Sequence, residues 1–220
     1  YSGLDRYEAR KLLVKQLEDE GYLVKTETLT HAVGYSERTN VVIEPLISKQ
    51  WFVKMDELAK MAADVYQDGE LQLIPDSLGK TYMNWLNNIR DWTISRQLWW
   101  GHRLPVFYTD DGEIIVSEDD PDEEGKLNGV HVTQEEDTLD TWFSSALWPF
   151  ATLGWPNENK KLDYFFPTDI LVTGYDIIFF WVIRMVFSSL YTTGKVPFDH
   201  VLFTGLIRDP QGRKMSKSLG

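Results

Sequence analysis

Lys214 and Lys217 lie three residues apart with Ser216 and Ser218 beside them. Just upstream, Asp209-Pro210-Gln211-Gly212 has the residue types of a tight turn, which would carry residues 213–218 on a mobile loop. Ammonium and hydroxyl groups collected in this way suit a polyphosphate. A solvated basic loop has the same composition, and composition leaves the two readings even. Gly174-Tyr175-Asp176 offers a second chemistry: a glycine that lets a ligand approach the backbone and a carboxylate able to accept from ribose hydroxyls. An ordinary strand-to-helix turn explains the same residues, with Gly174 supplying backbone freedom and Asp176 the N-cap, and is favoured on them alone. Trp142 and Trp181 could wall a pocket for a small apolar group, yet most of nine tryptophans must serve packing. By residue type, the core reading of this pair is the stronger.

Other chemistries find no footing. The four histidines, His31, His102, His131 and His200, stand dozens of residues apart without ligand spacing. Neither a Gly-x-x-x-x-Gly-Lys phosphate loop nor a Gly-x-Ser-x-Gly elbow occurs. Zero cysteines remove disulfides, a thiolate nucleophile and cysteine-ligated zinc.

The elements that must position these residues follow from periodicity. A short buried strand over 169–173, an apolar helix over 176–191 and a second strand over 200–204 predict a right-handed βαβ unit with parallel strands. Ligands of open α/β sheets lie off the carboxyl ends of the strands, here Gly174-Tyr175-Asp176 and Thr204-Gly205. A short helix near 140–147 carries Trp142. Further upstream, the pattern predicts a helix starting at Asp5 and ending at Gly21, with Ala9, Leu12, Leu13 and Leu17 on one face. It predicts strands over 22–29 and 40–44, then helices through Leu58, Met61, Ala62 and Val65 and, after Pro75, through Leu78, Tyr82, Trp85, Leu86 and Ile89. Residues 104–109 and 113–117 flank Asp110-Asp111-Gly112 as a hairpin.

The 220 residues suggest one domain or one and a half, and 43% hydrophobic content is enough for a core. Arg184 interrupts the apolar stretch 177–187, which falls short of the roughly 18 residues of a membrane span and reads as a core helix. No signal peptide opens the chain. The net charge of −12 weighs against a phosphate-gripping surface. Much of that excess is local, however: Glu118, Asp119, Asp120, Asp122, Glu123 and Glu124 crowd around Pro121 in what reads as a solvated loop.

Lys214-Met215-Ser216-Lys217-Ser218 resembles the signature loop of class I aminoacyl-tRNA synthetases. Asp91-Trp92-Thr93-Ile94-Ser95-Arg96-Gln97-Leu98-Trp99-Trp100-Gly101-His102-Arg103-Leu104-Pro105 resembles the tryptophan-rich block of their valine, isoleucine and leucine subgroup, with Gly101-His102-Arg103 in the valine form. Asp140-Thr141-Trp142-Phe143-Ser144-Ser145-Ala146-Leu147-Trp148-Pro149-Phe150 and Thr173-Gly174-Tyr175-Asp176-Ile177-Ile178-Phe179-Phe180-Trp181 also look like the valine-specific members. The similarity runs over essentially all 220 residues.

That resemblance implies an α/β fold: the second half of a Rossmann-type catalytic domain over residues 51–220, with a small acidic hairpin insertion at about 110–137, preceded by the C-terminal tail of an editing insert over 1–50. It implies activation of valine with ATP, accompanied by Mg2+, and transfer to tRNA(Val). It assigns Lys214 and Lys217 as catalytic, Gly174, Asp176, Ser216 and Lys217 to ATP, and Trp142, Ile177 and Trp181 to the amino-acid pocket. No metal site, structural zinc, membrane or obligate protein partner is implied, and the cytoplasm is the expected compartment. Much of the tRNA grip of this family lies outside such a stretch, so the charge of −12 stops counting against RNA. Thr93, where cysteine is common, and Thr204, where many relatives have histidine beside the nucleotide, depart from the pattern. None of the four histidines begins the family's His-x-Gly-His motif. The chain therefore looks cut at both ends, and by itself is expected to be inactive. An isoleucine or leucine enzyme, or a non-catalytic partner-binding module, are the alternatives.

Overall fold

Three parallel strands organise the part of the molecule that matters for ligands. In the computed structural model, which describes residues 1–36, 39–157 and 159–215, β10 (Thr168–Gly174) pairs with β11 (Phe198–Thr204), and β11 pairs with β2 (Gln72–Ile74), all parallel. The sheet order is β10-β11-β2. The register sets Ile170 opposite His200 and Gly174 opposite Thr204, so both strand ends open at the same edge. α2 (Asp56–Gln67), α3 (Gly79–Asn87) and α7 (Ile183–Thr193) share the core with the sheet: Ala62, Leu73, Tyr82, Val182, Ile183, Met185, Val186 and Val201 are buried together. Each of the Leu, Val, Ile and Met side chains among them contributes about 1.5–3 kcal/mol when withdrawn from water. The Tyr82 hydroxyl is buried there and donates to the Ala62 carbonyl at 3.0 Å; burial pushes its ionisation well above the ordinary value.

The chain divides into two units, Tyr1–Ser48 and Lys49–Gly220. In the first, α1 (Arg6–Asp19) starts where the Asp5 carboxylate accepts from the Tyr7 amide, and Gly21 follows its end at φ +75°. None of its residues is buried. The strands expected over 22–29 and 40–44 do not form; a single bridge joins Tyr35 to Val42. A strand exists only if a neighbour takes its amides and carbonyls; the Tyr22 and Leu23 amides turn back to the Leu17 carbonyl, and among the described residues no strand pairs with 22–29, where Val24 and Leu29 stand 95% and 78% exposed.

In the second unit, β1 (Phe52–Val53) pairs with β3 (Trp92–Thr93), and β4 (Ser95–Arg96) with β9 (Thr138–Leu139). A separate antiparallel sheet has the order β6-β5-β8-β7, from β5 (Val106–Thr109), β6 (Ile114–Val116), β7 (Lys126–Leu127) and β8 (Val130–Gln134). Its small core is Phe107, Leu127 and Val132. The hairpin turns at Gly112, whose φ of +88° favours glycine. The acidic residues 118–124 lie largely exposed between β6 and β7. α4 (Thr141–Ala146), α5 (Trp148–Ala151) and α6 (Lys160–Phe165) then lead to β10.

The uniform helix expected over 176–191 is instead three segments. A 3-10 turn at Tyr175–Ile177 and a π-helical turn at Ile178–Val182 precede α7. Three consecutive aromatics account for the irregular start: Phe179 stacks on Trp85 at 4.5 Å and Phe180 on Trp142 at 5.7 Å, and such widened turns recur at functional sites. The whole run Tyr175–Thr193 is, among the described residues, one helical stretch long and apolar enough to cross a membrane, with mean hydropathy 1.3. That is longer than the unbroken apolar count suggested. Val182, Ile183, Met185 and Val186 on it are wholly buried against the sheet and α2, as a core helix requires.

Candidate functional site at the carboxyl ends of the parallel strands

Trp142, Ile177 and Trp181 come together. With Ser145 and Trp148 they line a cavity of about 300 Å3. α4 brings Trp142 and Ser145; the turn after β10 brings Ile177, and the π-helical turn Trp181. The Trp181 Nε1–H donates to the Ser145 carbonyl at 2.9 Å, and Trp142 lies stacked on Phe180. Both indoles are thus held by one face or edge, leaving the other to the cavity. The walls are aromatic and aliphatic apart from Ser145, and among the described residues no charged one lines them. A larger hollow of about 750 Å3 among Tyr164, Phe165 and Thr168–Leu171 lies at the amino end of β10, the wrong end for ligands of a parallel sheet.

Gly174, Asp176 and Lys214 form a second group beside it. The Lys214 ammonium is ion-paired with the Asp176 carboxylate. Asp176 makes no capping bond, so the N-cap reading fails. The Gly174 reading changes too. Its φ is −72°, open to any residue; what glycine supplies is space, because a Cβ there would lie 2.6 Å from Asp176 Oδ1 and 3.0 Å from Leu206 Cδ2. Nor is the chain around Lys214 a free loop. Asp209 to Gly212 form the expected turn, with the Asp209 carbonyl accepting from the Gly212 amide at 2.9 Å. The chain then returns along itself: Arg208 bridges Lys214 and the Met215 amide donates to the Ile207 carbonyl. Ser216 and Lys217 lie outside the described residues.

Residue spacing missed a buried polar cluster behind the cavity. The Asp140 carboxylate, 5% exposed, accepts from the Trp142 amide through Oδ1 at 3.4 Å and from Trp92 Nε1 through Oδ2 at 2.9 Å. Arg96 and Arg184 approach the same Oδ2 at 3.0 and 3.7 Å. The Arg184 guanidinium lies 4.0 Å from the centroid of the Trp92 ring. Burial pulls it down to about 10, with Asp140 acting in the opposite sense and Arg96 adding to the fall; it stays charged at neutral pH. Arg184 was visible as the interruption in an apolar run, but nothing in the spacing pointed to Asp140 as its partner. Among the described residues, no group of His, Asp or Glu could hold a metal ion.

A model of the family described as tRNA synthetases class I (I, L, M and V) matches residues 7–220. The chain belongs to this family. The class I synthetases it most resembles in sequence include the valine–tRNA ligases of Clostridium acetobutylicum, 60% identical over 100% of this chain and 25% of the relative, and Symbiobacterium thermophilum, 59% identical over 100% and 24%. The chain therefore spans about a quarter of the length of these curated relatives. Among solved class I synthetases, Mycobacterium tuberculosis methionyl-tRNA synthetase bound by methionyl-adenylate superposes with a TM-score of 0.58 over 88% of this chain and 33% of its own, at 17% identity. The free form of that synthetase gives 0.56 over 81% and 31%, at 14% identity. These likenesses establish the shared catalytic-domain fold, the mixed α/β architecture with a parallel sheet.

Proposed function

We propose that this chain supplies the valine pocket and part of the ATP site of a valine–tRNA ligase. The observation that carries the reading is the apolar cavity of about 300 Å3 walled by Trp142, Trp148, Ile177 and Trp181 at the carboxyl end of β10. Its chemistry suits a small branched aliphatic side chain: apolar surface to bury, bulky indoles to exclude larger groups, and no buried polar group left unpaired. Apolar pockets separate side chains differing by one methylene by about 1–3 kcal/mol, a rule drawn from the branched-chain synthetases themselves.

Beside that pocket, Gly174 gives access to the backbone, and the Asp176 carboxylate accepts from the ribose hydroxyls. Lys214 and, beyond the described residues, Ser216 and Lys217 meet the triphosphate, which would bring Mg2+ with it to help neutralise its charge. The valine carboxylate attacks the α-phosphorus, the bond to the β-phosphate oxygen breaks, and pyrophosphate leaves with its charge matched by the lysines. The protein's share is positioning and charge stabilisation. The Lys214–Asp176 pair supports this reading, because it keeps a phosphate ligand beside the ribose ligand, and ATP exchanges the pair for two contacts of its own. The valyl group then passes to tRNA(Val). Residues 1–50 belong, on this reading, to the tail of an editing insert.

The test is valine-dependent exchange of pyrophosphate into ATP by a full-length ligase whose matching segment is this chain. Trp181→Ala is expected to raise KM for valine about tenfold or more while KM for ATP stays within twofold. An unchanged valine KM overturns the pocket assignment.

A further inference from the structure

The two walls of the cavity belong to separate stretches of chain, α4 with Trp142 and Ser145, and the run after β10 with Ile177 and Trp181. Their separation decides which side chain fits, so whatever ties the two stretches together controls the pocket. One tie is the Trp181–Ser145 hydrogen bond. The second lies behind the cavity. Asp140 stands two residues before Trp142 and caps its helix; Arg184 stands three residues after Trp181 at the start of α7. Their charged groups meet 3.7 Å apart, both more than nine-tenths buried, and neither lines the cavity. The same carboxylate oxygen takes Trp92 Nε1 and Arg96, and the Arg184 guanidinium lies over the Trp92 ring. One carboxylate therefore joins the start of α4, the start of α7 and the successive strands β3 and β4, which pair with β1 and β9.

Burying these charges is costly. An apolar pair of similar volume often stabilises a core as well or better, so stability alone gives no reason for an arginine within the apolar run Tyr175–Thr193. Registry does, because a charge pair with several fixed donors tolerates one relative placement of its helices where an apolar contact tolerates a range.

Resting on the pocket reading above, we infer that Asp140 and Arg184 are positioning residues for amino-acid selection: their ion pair sets the distance between the Trp142 and Trp181 walls and thereby the size of side chain admitted. Neither touches substrate, and their effect passes through the two indoles.

The experiment compares Asp140→Asn, Arg184→Met and Arg184→Lys with Trp181→Ala in the full-length ligase, well below the melting temperature of each variant. Asp140→Asn keeps an oxygen to cap α4 and removes the charge. The readouts are KM for valine, KM for ATP, and the ratio of kcat/KM for valine to that for isoleucine. The expected result is an increase of about tenfold in valine KM and a fall of about tenfold in the valine preference for Asp140→Asn and Arg184→Met. ATP KM stays within twofold, and Arg184→Lys recovers part of the preference. If Trp181→Ala raises valine KM while the Asp140 and Arg184 variants leave valine KM and the preference within twofold, the inference is overturned and the pocket reading stands. The inference also fails if those variants lower kcat for both amino acids alike without altering the preference, the signature of a merely structural role. If Trp181→Ala itself leaves valine KM unchanged, both readings fall together.

Discussion

The Lys214 ammonium pairs with the Asp176 carboxylate although 38 residues separate them. The contact bridges the ends of two adjacent parallel strands: Asp176 follows β10 by two residues, and Lys214 returns to it through the turn after β11. With the Lys214 side chain 57% exposed, water screens the pair, and its contribution to stability is at most about 1 kcal/mol.

Lys214→Ala therefore separates folding from function. The variant is expected to melt within a few degrees of the parent, yet to lose about 100-fold in kcat for pyrophosphate exchange, the scale of removing one charge-stabilising donor at a transition state. Paired melting and exchange assays on the full-length ligase check this, and a loss of stability in proportion to the loss of rate would refute it.

Gly174→Ala probes the neighbouring carboxylate without touching its charge. The added methyl would lie 2.6 Å from Asp176 Oδ1, and the Asp176 side chain, 24% exposed, gives way first. KM for ATP is expected to rise about tenfold while valine KM is unchanged, since on the proposed reading the displaced group serves the ribose and it does not line the indole cavity. Equal shifts in both constants would show that the strand end itself had moved.

Glu135 makes the second unit sensitive to acid. Burial pushes its carboxyl up, but the Tyr108 hydroxyl at 2.6 Å, Trp51 Nε1 at 3.0 Å and the amides of Glu136 and Asp137 outweigh burial and hold it below its ordinary 4.5. An acid depressed on folding contributes stability above the unfolded value and loses it as pH falls through the folded one. The melting temperature is thus expected to drop as pH goes below about 4.5, and Glu135→Gln to flatten that fall. The same hydrogen bond, first among several causes, raises Tyr108 from 10; its contribution is complete below that pH and is lost as pH rises through the folded value. Melting curves across the acid range of both proteins provide the check.

An open sheet edge governs how the 220-residue chain behaves by itself. Among the described residues β10 pairs on one side only, and Ile170 and Val172 on it are 50% and 55% exposed, whereas parallel sheets ordinarily have both faces covered. Exposed edges of this kind pair with other chains. The isolated chain is expected to self-associate at micromolar concentration, Ile170→Lys to restore a monomer in sedimentation, and neither form to catalyse valine-dependent pyrophosphate exchange. Exchange activity in the monomeric variant would contradict the proposal that this chain holds only part of the ATP site.

Local order was legible in the residues themselves. Asp5 and Gly21 bracket α1, Gly112 turns the hairpin, and the apolar periodicities around Ala62, Tyr82 and Met185 mark helices that share one core, because caps, turns and amphipathic faces depend on neighbours a few positions away. Ordered motifs also named the family. The tertiary structure decided everything that depends on residues far apart. It denied a ladder to residues 22–29, for which no strand partner stands among the described residues. It replaced a uniform helix by a π-helical turn where three aromatics meet Trp85 and Trp142. Gly174 proved to be required for the space it leaves to Asp176 and not for its torsion. Asp140 and Arg184 were joined behind the cavity because a buried charge must find a partner wherever the fold brings one, a constraint that leaves no periodic trace along the chain.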